Sequence, residues 1–121
     1  MTLADLIVLA AAAGFGLMGA LALALPVRVL SQFGVGSLTA AGRNEVRAVY
    51  GGFGLAVAGL LMLAGQAPDL RGGIVLTVGV AVLGMAGGRI VSALIDRQLA
   101  RTPAAYLLLE AVFGAALLYA A

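Results

Sequence analysis

Residues 72–95 read GGIVLTVGVAVLGMAGGRIVSALI, and Arg89 is the only charged side chain in this run. A transmembrane helix needs about 20 consecutive apolar residues to cross about 30 Å of hydrocarbon. Three more apolar runs of comparable length cover residues 3–25, 44–64 and 103–120. The sequence therefore predicts an all-α integral membrane bundle of four transmembrane helices, forming one domain over residues 1–121.

The composition supports this class and excludes several others. The chain is 64% hydrophobic and 10% charged, with a mean hydropathy of +1.17, whereas soluble domains carry about 25% charged residues. It has no Cys and no His, which excludes thiol nucleophiles, disulfides and imidazole ligands, so we expect no metal and no cofactor. The seven basic residues are scattered through apolar sequence, and this spacing argues against nucleic-acid binding.

The first apolar run has two interpretations. The tripeptide Ala22-Leu23-Ala24 resembles a signal-peptide cleavage site. However, residues 1–5 contain an acid and no basic residue, and the run is longer than the usual h-region of about 7–15 residues. We therefore expect a retained transmembrane helix.

The connection between the first two runs contains a repeat. Val27, Leu30 and Phe33 recur every three residues, and Gly34 follows them. This pattern is compatible with a short helix lying at the membrane interface and also with an irregular loop.

The placement of arginine predicts the orientation. The connections after the first and third runs hold Arg28, Arg43, Arg97 and Arg101, whereas the other connection holds Arg71 beside Asp69. Cytoplasmic loops of membrane proteins carry an excess of basic residues. Both termini are therefore expected on the outer side of the membrane.

Glycine is frequent inside the predicted helices. The chain has 18 glycines, and small residues allow helix backbones in lipid to approach closely and associate. Packing within the bundle is the expected role of Gly51, Gly54 and the small-xxx-small pair Gly84 and Gly88. Self-association through these faces is the alternative.

A pair of opposite charges lies at matching depth in the last two runs. Arg89 is seven residues before Asp96, and Glu110 is seven residues after Pro103. At 1.5 Å per residue, both lie about 10 Å below the same end of the bundle. A charge at a helix centre costs about 2.5–3.5 kcal/mol on insertion scales, so we predict a buried ion pair between Arg89 and Glu110.

Helical spacing groups the remaining polar residues. Arg89, Ser92 and Asp96 share one face, whereas the face of the second run contains Arg47, Gly51, Gly54 and Ala58, with Tyr50 one turn deeper. Convergence of these faces would form a polar pocket between the second, third and fourth helices, open to the cytoplasm. The expected ligand site or ion network is Arg47, Tyr50, Arg89, Ser92 and Glu110.

Four polar residues are expected at the periphery of this pocket. Arg43 and Asn44 precede the second run, and Glu45 would lie in the first turn of its helix, where an acid favours the helix N-terminus. We expect Arg43 to contact lipid headgroups and Asp96 to pair with a loop arginine.

Several of these residues carry a resemblance to a known family. The run GRNEVRAVYGG at residues 42–52 contains the pattern R-x-x-Y-G-G, and it is followed by Gly88-Arg89, Ser92, Asp96 and Glu110. Together they resemble the bacterial membrane family catalogued as domain of unknown function 4345. The resemblance implies four membrane helices in a bacterial inner membrane and an uncharacterised role.

Two functions remain open from the sequence. The first is binding or movement of a small anionic or amphipathic ligand, attracted by Arg47 and Arg89, with Tyr50 and Ser92 as hydrogen-bonding groups and Glu110 as counter-charge or proton carrier. The second is a non-transporting structural or accessory subunit that uses its ion network and glycine faces for packing and oligomerisation. Enzymatic activity is not expected, because no activated nucleophile or cofactor motif is present.

Overall fold

The computed structural model describes residues 1–121 and consists of helices and their connections. The elements are α1 (Leu3–Ala24), α2 (Pro26–Ser31), α3 (Ala40–Val46), a π-helical segment (Arg47–Gly52), α4 (Phe53–Ala64), α5 (Pro68–Asp96) and α6 (Arg101–Ala120). α3, the π-helical segment and α4 follow one another without a break, and we call this continuous helix, Ala40–Ala64, the composite helix.

Four of these helices are long and apolar enough to cross a membrane: α1, the composite helix, α5 and α6. This confirms the predicted all-α class with four spans. The composite helix begins at Ala40 instead of residue 44, because the Thr39 hydroxyl caps it by accepting a hydrogen bond from the Gly42 N–H at 3.0 Å. Glu45 therefore lies beyond the first turn, and its predicted place in that turn is wrong.

The four long helices form a closed ring in which each packs against two neighbours. α1 contacts the composite helix and α6, and α5 contacts α4 and α6. Because consecutive helices run in opposite directions, residues 25–39 and 97–100 connect them at one end, which we call the arginine-rich end. Both chain termini and the connection at residues 65–67 lie at the other, or terminal, end.

The apolar core occupies the half of the bundle nearest the terminal end. Its eleven buried residues are Val8, Ala11, Ala12, Val57, Leu61, Ala64, Val75, Val78, Val82, Leu117 and Ala120. At the surface of this half, Asp5 forms a capping box with Thr2 at the start of α1 and an ion pair with Arg71 at 2.9 Å. The terminal half is therefore apolar inside, and the buried charged residue, Glu110, lies in the other half.

Glycine allows α1 and the composite helix to approach closely. A Cβ atom at Gly19 would lie 2.7 Å from the Gly51 carbonyl oxygen, and one at Gly54 would lie 2.9 Å from the Phe15 carbonyl oxygen. Backbone atoms cannot move aside as side chains do, so these positions accept only glycine at this separation.

Two glycines expected to serve packing within the bundle do not do so. A Cβ atom at Gly84 or Gly88 would meet nothing within 4 Å, and both residues are exposed on the outer face of α5. The small-xxx-small pair faces away from the other three helices, so the prediction of intramolecular packing is wrong for it.

The connection after α1 contains the short helix α2, which settles the choice between a helix and an irregular loop. Pro26 begins α2, where its missing N–H leaves no helical hydrogen bond unmade. Gly34 follows α2 with φ +83°, a left-handed conformation that favours glycine. The chain then reverses toward Thr39, and residues 32 and 33 lie beside α6.

Candidate functional site

Arg89 on α5 and Glu110 on α6 form the predicted ion pair. Arg89 Nε donates to Glu110 Oε2 at 2.7 Å and to Oε1 at 3.0 Å, and Nη2 donates to Oε1 at 2.8 Å. Glu110 is 6% exposed and is the only charged residue in the buried set. The carboxylate therefore depends on one guanidinium for its charge compensation.

Close packing of α5 against α6 brings the two charges within reach. A Cβ atom at Gly114 would lie 2.6 Å from the Leu83 side chain, and one at Gly79 would lie 3.1 Å from Leu117 Cβ. These glycines allow the two backbones to approach one turn or more below the ion pair. The glycine contacts set the separation of α5 and α6, and the ion pair between Arg89 and Glu110 fixes their register.

Two aromatic rings cover the Arg89 guanidinium. Arg89 Cζ lies 5.2 Å from the Tyr106 ring centroid and 5.9 Å from that of Phe33, distances at which cations are attracted to aromatic faces. The two ring centroids are 5.4 Å apart. The Tyr106 hydroxyl donates to Gln32 Oε1 at 3.0 Å. We call Gln32, Phe33 and Tyr106 the aromatic cover.

One nitrogen of Arg89 has no hydrogen-bond partner. The ion pair uses Nε and Nη2 and leaves Nη1 unpaired. No buried side-chain nitrogen or oxygen lacks a partner in the structure, so Nη1 reaches the surface. The Arg89 side chain is accordingly 24% exposed. The two N–H groups of Nη1 therefore remain available beside a carboxylate whose two oxygens are both engaged.

An open groove of about 530 Å³ lies beside Tyr106, at the start of α6. Its lining consists of Gln32, Arg101, Thr102, Ala105, Tyr106 and Leu109. The polar lining includes one guanidinium and no carboxylate, and Gln32 uses its oxygen to accept from Tyr106, so its amide N–H groups remain free. The groove thus offers hydrogen-bond donors beside an apolar wall.

The family of the chain follows from its match over nearly the whole length. The family described as Domain of unknown function (DUF4345) matches residues 3–121. The chain belongs to this family. No curated protein and no solved structure matches it.

The pattern R-x-x-Y-G-G, on which the resemblance to the family rests, coincides with the π-helical segment, residues 47–52. In this segment the Phe53 N–H reaches the Ala48 carbonyl five residues earlier, which widens the helix. π-helical turns are frequent at functional sites. Here the widened turn carries Gly51 against Leu23 of α1, and the local geometry therefore serves the contact between α1 and the composite helix.

Arg47 does not join the ion pair, which corrects its predicted place in the polar pocket. Its Nε donates at 3.1 Å to the carbonyl of Leu23, near the end of α1. This carbonyl is free because α1 ends at Ala24, and a cation is favourable at a helix C-terminus. The face of Arg47, Gly51 and Gly54 exists as predicted, but α1 covers it.

Two other predicted pocket residues, Tyr50 and Ser92, lie at the surface, as does the predicted peripheral residue Asp96. Tyr50 is exposed, although it is within electrostatic range of the Arg89 guanidinium. Ser92 and Asp96 are exposed on α5, and Asp96 forms no ion pair, so its predicted pairing with a loop arginine is wrong. The pocket predicted between the second, third and fourth helices is therefore replaced by a site built from α5, α6 and the connection after α2.

The peripheral residues have local roles. Arg43 Nη1 donates to the Leu38 carbonyl at 2.9 Å and holds the turn before α3, while Asn44 and Glu45 are exposed. Gln32, Arg101 and Thr102 were not predicted as site residues. Phe33 belongs to the three-residue repeat, which was compatible with an interfacial helix or a loop, and no sequence signal places Gln32 beside Tyr106.

Proposed function

We propose that the protein binds an anionic amphiphile at the arginine-rich end, with the acidic headgroup in the groove at the start of α6. The observation that carries this proposal is the lining of the groove, whose polar side chains include the donors of Gln32, Arg101 and Thr102 and whose single charge is that of Arg101. A ligand that presents several acceptor oxygens and a negative charge complements this lining.

The start of α6 adds to the attraction for an anion. Its N-cap residue, Ala100, supplies no side-chain acceptor, so the first backbone N–H groups of α6 are not capped by it. These groups carry the partial positive charge of the helix N-terminus. Arg101 and Thr102 lie in the same turn and add a cation and a hydroxyl.

The remaining wall suits a hydrocarbon chain. Ala105 and Leu109 line the groove along α6, and Leu108 and Leu109 are 68% and 50% exposed. In a membrane, such side chains contact lipid tails instead of water. A headgroup in the groove would therefore leave its tail alongside α6, which favours an amphiphile over a free small anion.

The proposal includes an orientation and a location. We place the arginine-rich end on the cytoplasmic face of a bacterial inner membrane and both termini on the outer face. Support comes from Arg28, Arg43, Arg97 and Arg101 at one end, whereas Arg71 at the other end is paired with Asp5. Fusing a reporter that is active only on the outer side to Ala121 should give activity, and an inactive fusion with a fluorescent cytoplasmic reporter would contradict the orientation.

Binding is tested with lipid nanodiscs and soluble probes. The protein is expected to bind short-chain phosphatidylglycerol more tightly than short-chain phosphatidylcholine, and Arg101→Gln should weaken phosphatidylglycerol binding about tenfold, equivalent to about 1.4 kcal/mol. Arg28→Gln serves as the control, because Arg28 is exposed at the same end but does not line the groove.

Two further probes separate the possible ligand types. Inorganic phosphate tests the headgroup chemistry alone, and decanoate tests a carboxylate on a hydrocarbon chain. Tight binding of phosphate without preference for amphiphiles would limit the proposal to a free anion. Equal affinity for phosphatidylglycerol and phosphatidylcholine, unchanged by Arg101→Gln, would overturn it.

Self-association in a structural or accessory role is the second candidate. The observation in its favour is the outer face of α5, where Gly84 and Gly88 are exposed with open space above them. Small residues on a lipid-facing helix allow a second helix to approach closely. The mass of the protein in detergent, compared with that of Gly88→Leu, tests this candidate, and a monomeric mass for both proteins would reject it.

A further inference from the structure

We infer that the acidic headgroup of the proposed ligand and Glu110 compete for Arg89, so that the headgroup displaces Glu110 and Glu110 takes up one proton. This inference rests on the proposed function and specifies how the same site is regulated. It predicts that binding of an anion depends on pH although the anion itself does not titrate.

The dependence of Glu110 on Arg89 is the first step. The three hydrogen bonds that Glu110 accepts from side chains all come from Arg89, and its side chain is 7% exposed. If an incoming anion took these donors, an ionised Glu110 would remain buried without compensation. Removing one member of a buried pair is strongly destabilising for this reason. Protonation removes that charge.

Charge balance leads to the same conclusion. Arg89 and Glu110 together carry no net charge before the exchange. After it, Arg89 and the bound anion form the neutral pair, and protonated Glu110 is neutral. The proton comes from solvent, and the two Arg89 nitrogens that held Glu110 donate to the anion instead. Without the proton, the buried site would hold one net negative charge in a medium of low dielectric constant.

Few other groups around the pair can titrate. α5 contributes Arg89, α6 contributes Tyr106, and the composite helix contributes Tyr50. The connection after α2 contributes Gln32 and Phe33, which are uncharged. The acid of α1, Asp5, lies at the terminal end and is paired with Arg71. Arg89 and the two tyrosines are donors that already carry their protons, so the carboxylate of Glu110 is the group in this set able to accept one.

The path for the anion runs past the aromatic cover. Tyr106 both lines the groove and lies over Arg89, whose Cζ is 5.2 Å from the ring centroid. Arg89 Nη1, unpaired and at the surface, is the first donor an anion would meet. The connection after α2 is held to α6 by the hydrogen bond from Tyr106 to Gln32 and by the ring contact between Tyr106 and Phe33. Separation of residues 32 and 33 from Tyr106 would break both contacts and uncover Arg89 on the side of Phe33.

The experiment measures the affinity of short-chain phosphatidylglycerol as a function of pH. A phosphodiester has no second ionisation, whereas a phosphomonoester titrates at about pH 6, so the probe keeps one charge throughout. For the natural protein, the dissociation constant should rise about tenfold for each pH unit over the range in which binding takes up one proton. Glu110→Gln mimics the protonated acid and should bind with an affinity that is independent of pH.

Two measurements keep the result interpretable. The Arg71→Gln variant, which changes the ion pair at the terminal end, should retain the pH dependence of the natural protein. Calorimetry in two buffers of different ionisation enthalpy should show uptake of one proton per lipid bound by the natural protein, and this test does not depend on whether Glu110→Gln folds.

The outcomes separate the two proposals. Absence of phosphatidylglycerol binding at every pH would overturn the proposed function and, with it, this inference. A different result would be phosphatidylglycerol binding that is weakened by Arg101→Gln and yet shows neither pH dependence nor proton uptake. That result would support the proposed function and overturn the exchange at Arg89.

Discussion

Arg89 and Glu110 are joined by three hydrogen bonds that engage both carboxylate oxygens but only two of the three guanidinium nitrogens. The acid is fully engaged and buried, whereas the cation keeps one nitrogen at the surface. This asymmetry gives the pair two properties. It holds α5 and α6 in register, and it presents free donors to the arginine-rich end.

The first prediction concerns the stability of this pair. Arg89→Met should lower the free energy of unfolding by about 3–5 kcal/mol, because it leaves the Glu110 carboxylate buried without a partner. The double variant Arg89→Met with Glu110→Leu should recover most of this loss, because no uncompensated charge remains. Unfolding in mixed micelles with increasing denaturing detergent measures the difference.

The ion pair at the terminal end supplies the control for that experiment. Arg71→Gln breaks a contact with the Asp5 side chain, which is 36% exposed against 7% for that of Glu110, and it should cost much less than Arg89→Met because water screens the remaining charge. Equal losses for Arg71→Gln and Arg89→Met would show that the burial of Glu110 has no energetic consequence.

The second prediction concerns the glycine contact between α1 and the composite helix. In Gly19→Ala the new Cβ atom would lie 2.7 Å from the Gly51 carbonyl oxygen and from the Leu55 nitrogen. Overpacking of this kind destabilises by about 1–3 kcal/mol. Gly14→Ala is the matched control on the same helix, because nothing lies within 4 Å of its Cβ position. It should be neutral or slightly stabilising, and a loss as large as that of Gly19→Ala would contradict the close contact.

The third prediction concerns the link between Arg47 and the end of α1. Arg47→Gln removes the charged donor to the Leu23 carbonyl and should cost about 1 kcal/mol, the lower range for such bonds at an exposed site. Backbone amides of residues 25–31 should also exchange with deuterium faster. Arg28→Gln, which removes an exposed charge on α2 itself, should leave this exchange unchanged.

The fourth prediction concerns the aromatic cover. Tyr106→Phe keeps the ring over Arg89 but removes the hydrogen bond to Gln32. The connection after α2 should become more mobile, while the ion pair stays intact. Because the chain has no native Cys, a spin label at Ser37→Cys reports this mobility without interference.

Tyr119→Phe is the control for the cover, since Tyr119 is 69% exposed near the terminal end. It should not change the mobility of the label at residue 37. An identical spectrum for Tyr106→Phe and the parent protein would mean that the Gln32 contact does not restrain the connection.

The sequence was sufficient to predict the ion pair, because the pairing depends only on how far each charged residue lies from the connection between α5 and α6. Arg89 and Glu110 lie at equal distances from a short connection, and the antiparallel arrangement of consecutive helices then brings them to one level. It did not predict the partner of Arg47, because helical spacing shows which residues share a face but not which neighbour covers that face. The structure places α1 there, and Arg47 reaches the Leu23 carbonyl.

The order of helices around the ring also determined which residues form the site around Arg89. Helical spacing places Ser92, Asp96 and Arg89 on one face of α5. A long side chain such as that of arginine can extend from this face to the next helix, whereas shorter side chains cannot. Arg89 therefore turns to Glu110, and Ser92 and Asp96 remain exposed. The aromatic cover required the connection after α2 to fold back beside α6, a contact between residues 32 and 106 that no local pattern contains.

The amino-acid sequence by itself determined the four apolar helices, the end at which arginine accumulates, and the depth of the buried charges, because each follows from length and local composition along one helix. Only the tertiary structure decided which helices are neighbours, which glycines lie in contacts, and which donors remain unpaired around Arg89. Those features depend on the rotation of each helix about its axis, which is set by close packing between backbones distant in the chain.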